Sequence, residues 1–442
     1  MSATCKPGYK QSSVGWIPST WKVKSLSHIT TECKTRNNGA IDDKLLCGVL
    51  KSQGLVPMRE RVKGVSTDRC KVVVPNAFAY NPMRLNIGSI ARNISKRAVM
   101  VSPDYVVFAA DPLELLPSYL DQVRRSGLWE RYVGASGDGS VRVRIYYGDL
   151  ARLEIPIPPI PEQRKIAAIL SDVDSKLDII ARQIKATHTL KRGLMQALFN
   201  RGAGTQDTDG RWVPHTEFKD SELGEIPATW NVGCVGDYIS ALRSGVSVNA
   251  EDRQHEEDEV GVLKVSAVLN GSFIPNNHKA VLAEERGRVA EPVLGERIII
   301  SRANTPTLVG ESAYVETDHP TLFLPDKLWQ TEPSETVHSV KWLANYLQSP
   351  FVRQAISKAA TGTSGSMKNI AKPAFLSIRM PLIPLNEQER VADILSAVTL
   401  KEASLASRQA HYQTLKRGLM QKLLTGEWRV TLDTQQKLAV AA

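Results

Sequence analysis

Asn81-Pro82-Met83-Arg84 is the nearest approach in this sequence to the Asn-Pro-Pro-Tyr type of site that holds an extruded adenine for methylation. It lacks the second proline and the aromatic ring. No Gly-x-Gly-x-x-Gly turn accompanies it to seat a methyl donor. A nuclease needs clustered acids and a lysine to hold a metal and activate water. Pro103-Asp104 and Pro325-Asp326 have no Glu-x-Lys close behind them, and Glu217-Phe218-Lys219 has no Pro-Asp ahead of it. A Walker-type phosphate loop is also missing. The eight histidines lie scattered, without metal-ligand spacing. Cys5, Cys33, Cys47, Cys70 and Cys234 are odd in number and include no Cys-x-x-Cys pair, which argues against a zinc site or a disulfide framework and fits a reducing cytosol. The expectation is a chain without a catalytic, metal or cofactor site of its own.

Recognition chemistry is better represented. Across 442 residues, 56 Lys and Arg face 46 Asp and Glu, a net charge of +10 that favours polyanionic partners. Arg pairs two-pronged with guanine and Asn with adenine, while small polar residues and backbone amides hold phosphate. In the first half these types gather at Lys34, Arg36, Asn37 and Asn38, at Arg84 and Asn86, and at Ser136, Gly137, Gly139 and Ser140 with Arg142. In the second half they gather at Arg302, Asn304 and Thr305, directly after a strand-like run, and at Thr361, Gly362, Ser364, Gly365 and Ser366 with Lys368 and Asn369. The Gly/Ser loops at 136–140 and 361–366 hold the same place in the two halves, and small residues there let a backbone approach a phosphate or a groove closely. They read equally as flexible surface turns.

The halves are copies. Gly15-Trp16-Ile17-Pro18-Ser19-Thr20-Trp21 returns 209 residues later as Gly224-Glu225-Ile226-Pro227-Ala228-Thr229-Trp230. Glu162-Gln163 returns 225 residues later as Glu387-Gln388, and the block Leu190–Gln196 returns unchanged as Leu415–Gln421. Each copy has a divergent front and a similar back. The fronts, 1–152 and 223–378, mix strand-like runs (Lys71–Val74, Tyr105–Phe108, Ile298–Ile300) with helical stretches such as 340–358, which Pro350 divides, and read as α/β (α+β) globules.

The backs, 153–200 and 379–442, read as long helices entered through proline-rich strands. Ile166, Leu170, Val173, Leu177, Ile180 and Ile184 keep heptad spacing, and Leu190 and Leu194 continue the stripe after a change of phase. The second copy keeps Val391, Leu395, Val398, Leu405, Leu415 and Leu419, but places Glu402 and Gln409 where the first has Leu177 and Ile184. Asn386 with Glu389 reads as a capping box. A helix over 162–199 spans about 55 Å. Neither stripe is buried within its own helix, so the two are expected to pack on each other as an antiparallel coiled coil with pseudo-twofold character. Residues 201–222 open with a Gly-, Thr- and Asp-rich run without apolar period and read as a mobile linker. No apolar run approaches the ~20 residues of a membrane helix, and the first residues do not resemble a signal peptide, so a cytoplasmic location without membrane attachment is expected.

The twin Gly-x-Ile-Pro-x-x-Trp motifs, Ile157–Arg164, Ile166–Leu170 and the repeated Leu-Lys-Arg-Gly-Leu-Met-Gln, in the order domain, helix, domain, helix, resemble the specificity subunits of Type I restriction–modification systems along nearly the whole chain. The resemblance implies that each front is a target-recognition domain for one half of a split, asymmetric site in double-stranded DNA. It implies spacer helices that dock two modification subunits. S-adenosylmethionine, ATP and magnesium would then act in the modification and restriction subunits and not in this chain. Lys191-Arg192 and Lys416-Arg417, retained in both copies, are assigned to scaffold and partner docking. A stand-alone coiled-coil DNA-binding or architectural protein is the alternative, distinguished by its independence of partners.

Overall fold

The computed structural model describes residues 7–58, 66–135, 144–362 and 367–432. The chain divides into two compact units: residues 1–182 with 407–442, and residues 183–406.

The first unit opens with a hairpin, Tyr9–Ser12 against Gly15–Pro18. Gly15 takes a φ of +101°, which glycine adopts without steric cost. Strands Thr30–Glu32, Val106–Ala110, Phe78–Tyr80 and Ile90–Arg92 form an antiparallel sheet in that order. Its inner face carries Phe78 stacked on Phe108, with ring centres 5.2 Å apart. A second sheet orders Gly54–Pro57, Leu46–Leu50, Val99–Val101 and Lys71–Val73, with one parallel pairing, Leu46–Leu50 beside Val99–Val101. Helices Pro117–Val123 and Gly127–Ala135 bury Tyr119, Leu120, Trp129 and Val133 in the first sheet's core.

The second unit repeats this plan. Phe218–Ser221 and Gly224–Pro227 form the hairpin. The antiparallel sheet orders Ile239–Ser244, Leu328–Pro333, Arg297–Ser301 and Ser312–Val315. The second sheet has five strands with one parallel pairing, Gly261–Leu263 beside His319–Phe323. Helices Val340–Leu347 and Pro350–Ala359 are divided where the sequence predicts, with Pro350 in the first turn and Ser349 accepting from the Val352 N–H. Because antiparallel pairs dominate both units, the fronts are α+β and not α/β: hairpin-joined strands need no crossover helix.

Each front is closed by its own return strand. Lys22–Ser25 pairs with Glu154–Ile157, and Asn231–Cys234 pairs with Arg379–Leu382. The chain then enters a long helix, Ile160–Arg201 in the first copy and Leu385–Leu424 in the second. The second helix begins one residue before Asn386, whose side-chain oxygen takes the neighbouring Glu387 N–H at 2.9 Å, so Asn386 is not the cap that the sequence suggests.

The repeated motifs meet at the helix entries. Trp21 donates its indole N–H to Glu162 at 3.0 Å, and Arg429 closes on the same carboxylate at 2.6 Å. In the second unit Trp230 donates to Glu387 at 2.9 Å. The other Glu387 oxygen takes the amides of Ala203 and Gly204 and stands 2.9 Å from His215 Nε2. The adjoining glutamines work alike. Gln163 accepts from the Leu116 N–H and donates to the Glu114 and Pro158 carbonyls. Gln388 accepts from the Ser339 N–H and donates to Ile383 and to the Tyr238 hydroxyl. Burial pushes the Tyr238 phenol up to about 12, so it meets these donors as a neutral hydroxyl.

These bonds correct the mobile-linker expectation. Residues 203, 204 and 215 are held by Glu387, and Thr205–Gln206 pairs with Trp212–Val213 around a turn in which Asp207 accepts from the Asp209 and Arg211 amides. The helical stripes hold in part. Ile166, Leu170, Val173, Ile180, Val391, Leu395 and Leu405 are buried, and Leu177, Ile184, Leu194, Val398 and Leu419 are half-buried. Leu190 and Leu415 are 54% and 47% exposed, so neither belongs to a buried seam. The next residues, Lys191 and Lys416, turn inward instead: Lys191 reaches Glu402 at 3.4 Å and Lys416 reaches Asp174 at 2.5 Å. His188 Nδ1 also meets Glu402, at 2.8 Å. The acid that interrupts the apolar stripe is thus an ion-pair acceptor.

Glu387→Ala leaves buried donors unpartnered, each worth about 1–3 kcal/mol. We expect urea denaturation to show a loss of about 3 kcal/mol, against ~1 kcal/mol or less for Glu402→Ala, whose partners are partly exposed. Equal losses would remove Glu387 from its place as the anchor of the second unit.

Candidate nucleic-acid interface

Two polar loops occupy the same topological place in their units. In the first unit residues 81–89 join Phe78–Tyr80 to Ile90–Arg92. In the second, residues 302–311 join Arg297–Ser301 to Ser312–Val315. Each loop is built by its own asparagine. Asn81 Oδ1 accepts from the Met83 amide at 3.0 Å, and Asn304 Oδ1 accepts from the Thr305 amide at 2.8 Å. Each carries a left-handed glycine near its end, Gly88 at φ +89° and Gly310 at φ +75°. Each receives the chain returning from the Gly/Ser segment: the Ile145 amide donates to Pro82 O at 3.1 Å, and the Ile370 amide to Arg302 O at 3.0 Å.

In the sequence the residues of the two loops stand unrelated. No single offset aligns them, because residues gained in the second front move the repeat from 209 to 225 between its two landmarks. Only the strand order brings out the match.

In the first loop Arg84 and Asn86 are exposed, and Leu85 beneath them is buried. In the second, Thr305 is exposed, and Arg302 and Asn304 are half-buried. Asn304 Nδ2 also holds Ser301 Oγ at 3.2 Å. Arg302 Nε is buried without a hydrogen-bond partner among the described residues. The loop is braced by Arg353, which donates to Thr307 O at 2.9 Å. Burial pushes that guanidinium's pKa down, and nearby Glu311 partly restores it.

Four further candidates join the second loop. Ala303–Asn304 pairs with Lys368–Asn369 as a short ladder, and Asn369 exchanges both backbone bonds with Thr361. Lys368 Nζ donates to Gly362 O at 2.8 Å. Arg302, Asn304, Thr305, Thr361, Gly362, Lys368 and Asn369 therefore form one cluster. Ser364, Gly365 and Ser366, and in the first unit Ser136, Gly137, Gly139, Ser140 and Arg142, lie outside the described residues.

In the 34–38 segment Lys34, Arg36 and Asn38 are exposed and Asn37 is buried. The segment runs against 67–71, where Arg36 donates to Arg69 O at 2.5 Å and Lys34 pairs with Glu32 at 3.2 Å. Asn37 is 1% exposed. Its side chain bonds Ile41 and Thr67. Asn37 is thus corrected from a surface contact to an interior bracket. Asn38 supplies the turn, at φ +47°.

Chemically the clusters offer guanidinium, amide and ammonium donors on braced loops, which suits base edges and phosphates. Among the described residues no group of His, Cys, Asp and Glu is placed to hold a metal, and no helix is long and apolar enough to cross a membrane.

Residues 135–187 match the family described as Type I restriction modification DNA specificity domain. The specificity subunit of the Type I restriction enzyme MjaVIII of Methanocaldococcus jannaschii is 27% identical over 281 residues, covering 63% of this chain and 63% of that protein. The chain thus spans less than two thirds of that relative's length. The specificity subunit of EcoKI from Escherichia coli K12 is 21% identical over 462 residues, covering 94% of this chain and 92% of that one. The solved S subunit of a Type I restriction–modification system from M. genitalium shares the fold, with a TM-score of 0.57 at 17% identity over 95% of this chain and 99% of its own. The chain is similar to the Type I restriction enzyme specificity subunits, and residues 135–187 match the DNA specificity domain of that family.

Proposed function

We propose that the chain is the non-catalytic DNA reader of a Type I restriction–modification complex. Each front, 1–152 and 223–378, is a target-recognition domain for one half of a split site. The observation that carries this reading is the pair of braced polar loops, equivalent in strand order and different in sequence. Matched geometry suits two duplex half-sites, and different side chains suit two different base sequences.

We assign the spacing of the half-sites to the two long helices, paired as an antiparallel coiled coil. Ion pairing inside the first unit supports this: Glu162 meets Arg429, and Asp174, three turns further on, meets Lys416, earlier in the other helix.

The partner role rests on the repeated Leu-Lys-Arg-Gly-Leu-Met-Gln block. Its lysines are spent on ion pairs, but Leu190, Arg192, Leu415 and Arg417 stay exposed. A Cβ on Gly193 or Gly418 would meet nothing within 4 Å. Glycine inside a helix costs about 1 kcal/mol relative to alanine, and internal packing does not require it at either position. Each block also lines a groove in its own unit, through Arg192 and Met195 in one and Arg417 and Met420 in the other. Matching external sites suit two copies of one partner, the modification subunit. Methyl donor, ATP and magnesium are assigned to the modification and restriction subunits.

Mapping of N6-methyladenine in cells that co-express the chain with a modification subunit tests the reader role. Exchange of residues 223–378 is expected to change one half of a split motif and keep the other; a motif unchanged by the exchange sinks the reading. Gly193→Ala and Gly418→Ala are expected to stabilise the isolated chain by up to ~1 kcal/mol in thermal or urea unfolding while weakening co-purification of the partner. Unimpaired co-purification would move the docking site elsewhere.

A further inference from the structure

The first unit has a cavity of about 670 Å³ between the 85–88 loop and the helices Pro117–Val123 and Gly127–Ala135. Lys51, Arg92, Arg124 and Arg125 line it, against the carboxylates of Asp121 and Glu130. Asp121 is shared by three guanidiniums: Arg124 at 2.7 Å, Arg125 at 3.3 Å and Arg92 at 4.0 Å. Arg125 has a second acid, Asp174, at 2.9 Å. Arg124 also donates to the Ile90 carbonyl, and Arg92 to Asn76 Oδ1.

Lys51, Arg92, Arg124 and Arg125, four cations, face three carboxylates, Asp121, Glu130 and Asp174, which leaves one surplus positive charge. Arg92 Nε, the atom 4.0 Å from Asp121, is buried and makes no hydrogen bond among the described residues. Lys51 is exposed, forms no ion pair among the described residues, and lays its stem along Gly88, where a Cβ would approach it at 3.2 Å. A buried donor without an acceptor costs stability unless a ligand supplies one. An anion with several oxygens matches forked guanidinium donors.

In the corresponding region of the second unit Arg353 faces Glu311 at 3.7 Å and donates to the Thr307 carbonyl, and its Nη1 is buried without a hydrogen-bond partner among the described residues.

We propose that this cavity is a phosphate clamp that seats one backbone phosphate of duplex DNA beside the reading loop of the first unit. The assignment to DNA rests on the reader function proposed above; the phosphate chemistry does not. The wall of the cavity is the loop that bears Arg84 and Asn86, so a phosphate held by Arg92 and Lys51 would set the register of the bases that loop meets. Ile87 and Ile94, 57% and 80% exposed, line the cavity and offer apolar surface to a neighbouring sugar.

The test uses the full chain, a labelled 30-base-pair duplex and a salt titration. Each lost phosphate contact lowers the slope of log K against log salt by about 0.9. Lys51→Gln with Arg92→Gln is expected to reduce the slope by about one such step, irrespective of duplex sequence. Lys51→Gln alone, at an exposed position, guards against misfolding and is expected to weaken binding in the same direction. An unchanged slope in the folded double variant overturns the backbone assignment.

A second arm compares melting in inorganic phosphate and in chloride at matched ionic strength. Phosphate is expected to raise the wild-type midpoint and not that of Arg92→Gln. If phosphate stabilises but the duplex slope is unaffected, the cavity takes a free anion and the DNA assignment falls. If phosphate has no effect on the wild type, the clamp itself falls. If the wild type binds no duplex, the reader function fails separately, and the phosphate arm alone decides the cavity.

Discussion

A buried carboxylate at the start of each long helix is the constraint on which the units depend. Glu162 is 3% exposed and Glu387 2%, and a charge so placed must be fully partnered. The partners come from far along the chain. An indole arrives from the hairpin motif that opens the front, and further donors arrive from the segment that follows a long helix: Arg429 for Glu162, and the 203–204 amides with His215 for Glu387. Gly202 belongs to the same device. It sits at φ +73°, where a Cβ would collide with the Glu387 carboxylate and the Trp230 ring. Start of front, start of helix and end of helix are thus tied to one point, and the neighbouring glutamine ties the front's first helix to it.

That arrangement separates what is held from what is free to vary. The motifs that recur between the halves lie at the tied point and along the helices. The loops that differ are carried one sheet away, on strands whose order is retained. A loop can exchange Arg84 and Asn86 for Arg302 and Asn304 without touching the buried acids. Each loop is still stiff, because an asparagine side chain closes its turn and the backbone accepts the returning chain. Stiff loops on a common frame lose little entropy when they engage a ligand.

The helices show a second division of labour. Inward positions are satisfied internally, some by leucine and some by lysine–acid pairs. Outward positions retain an exposed leucine near a glycine with open space over it, twice, and it is the glycine that an isolated helix does not favour. No packing among the described residues requires the glycine at either position.

The linear sequence determined the duplication, the long helices, the mixed strand and helix content of the fronts and the absence of familiar catalytic motifs. All are legible because they depend on local residue type and periodicity. It also supplied the polar residues from which the candidate clusters are built. Tertiary structure decided which of them meet. The 81–89 and 302–311 loops are equivalent only through strand order. Asn37 is spent inside the fold, and Lys191 and Lys416 turn inward while Leu190 and Leu415 turn out. The recurring Trp and Glu were visible as text, but their hydrogen bond spans 141 residues in one unit and 157 in the other. A pairing across that distance follows from how the sheets and helices pack, and no local pattern encodes it.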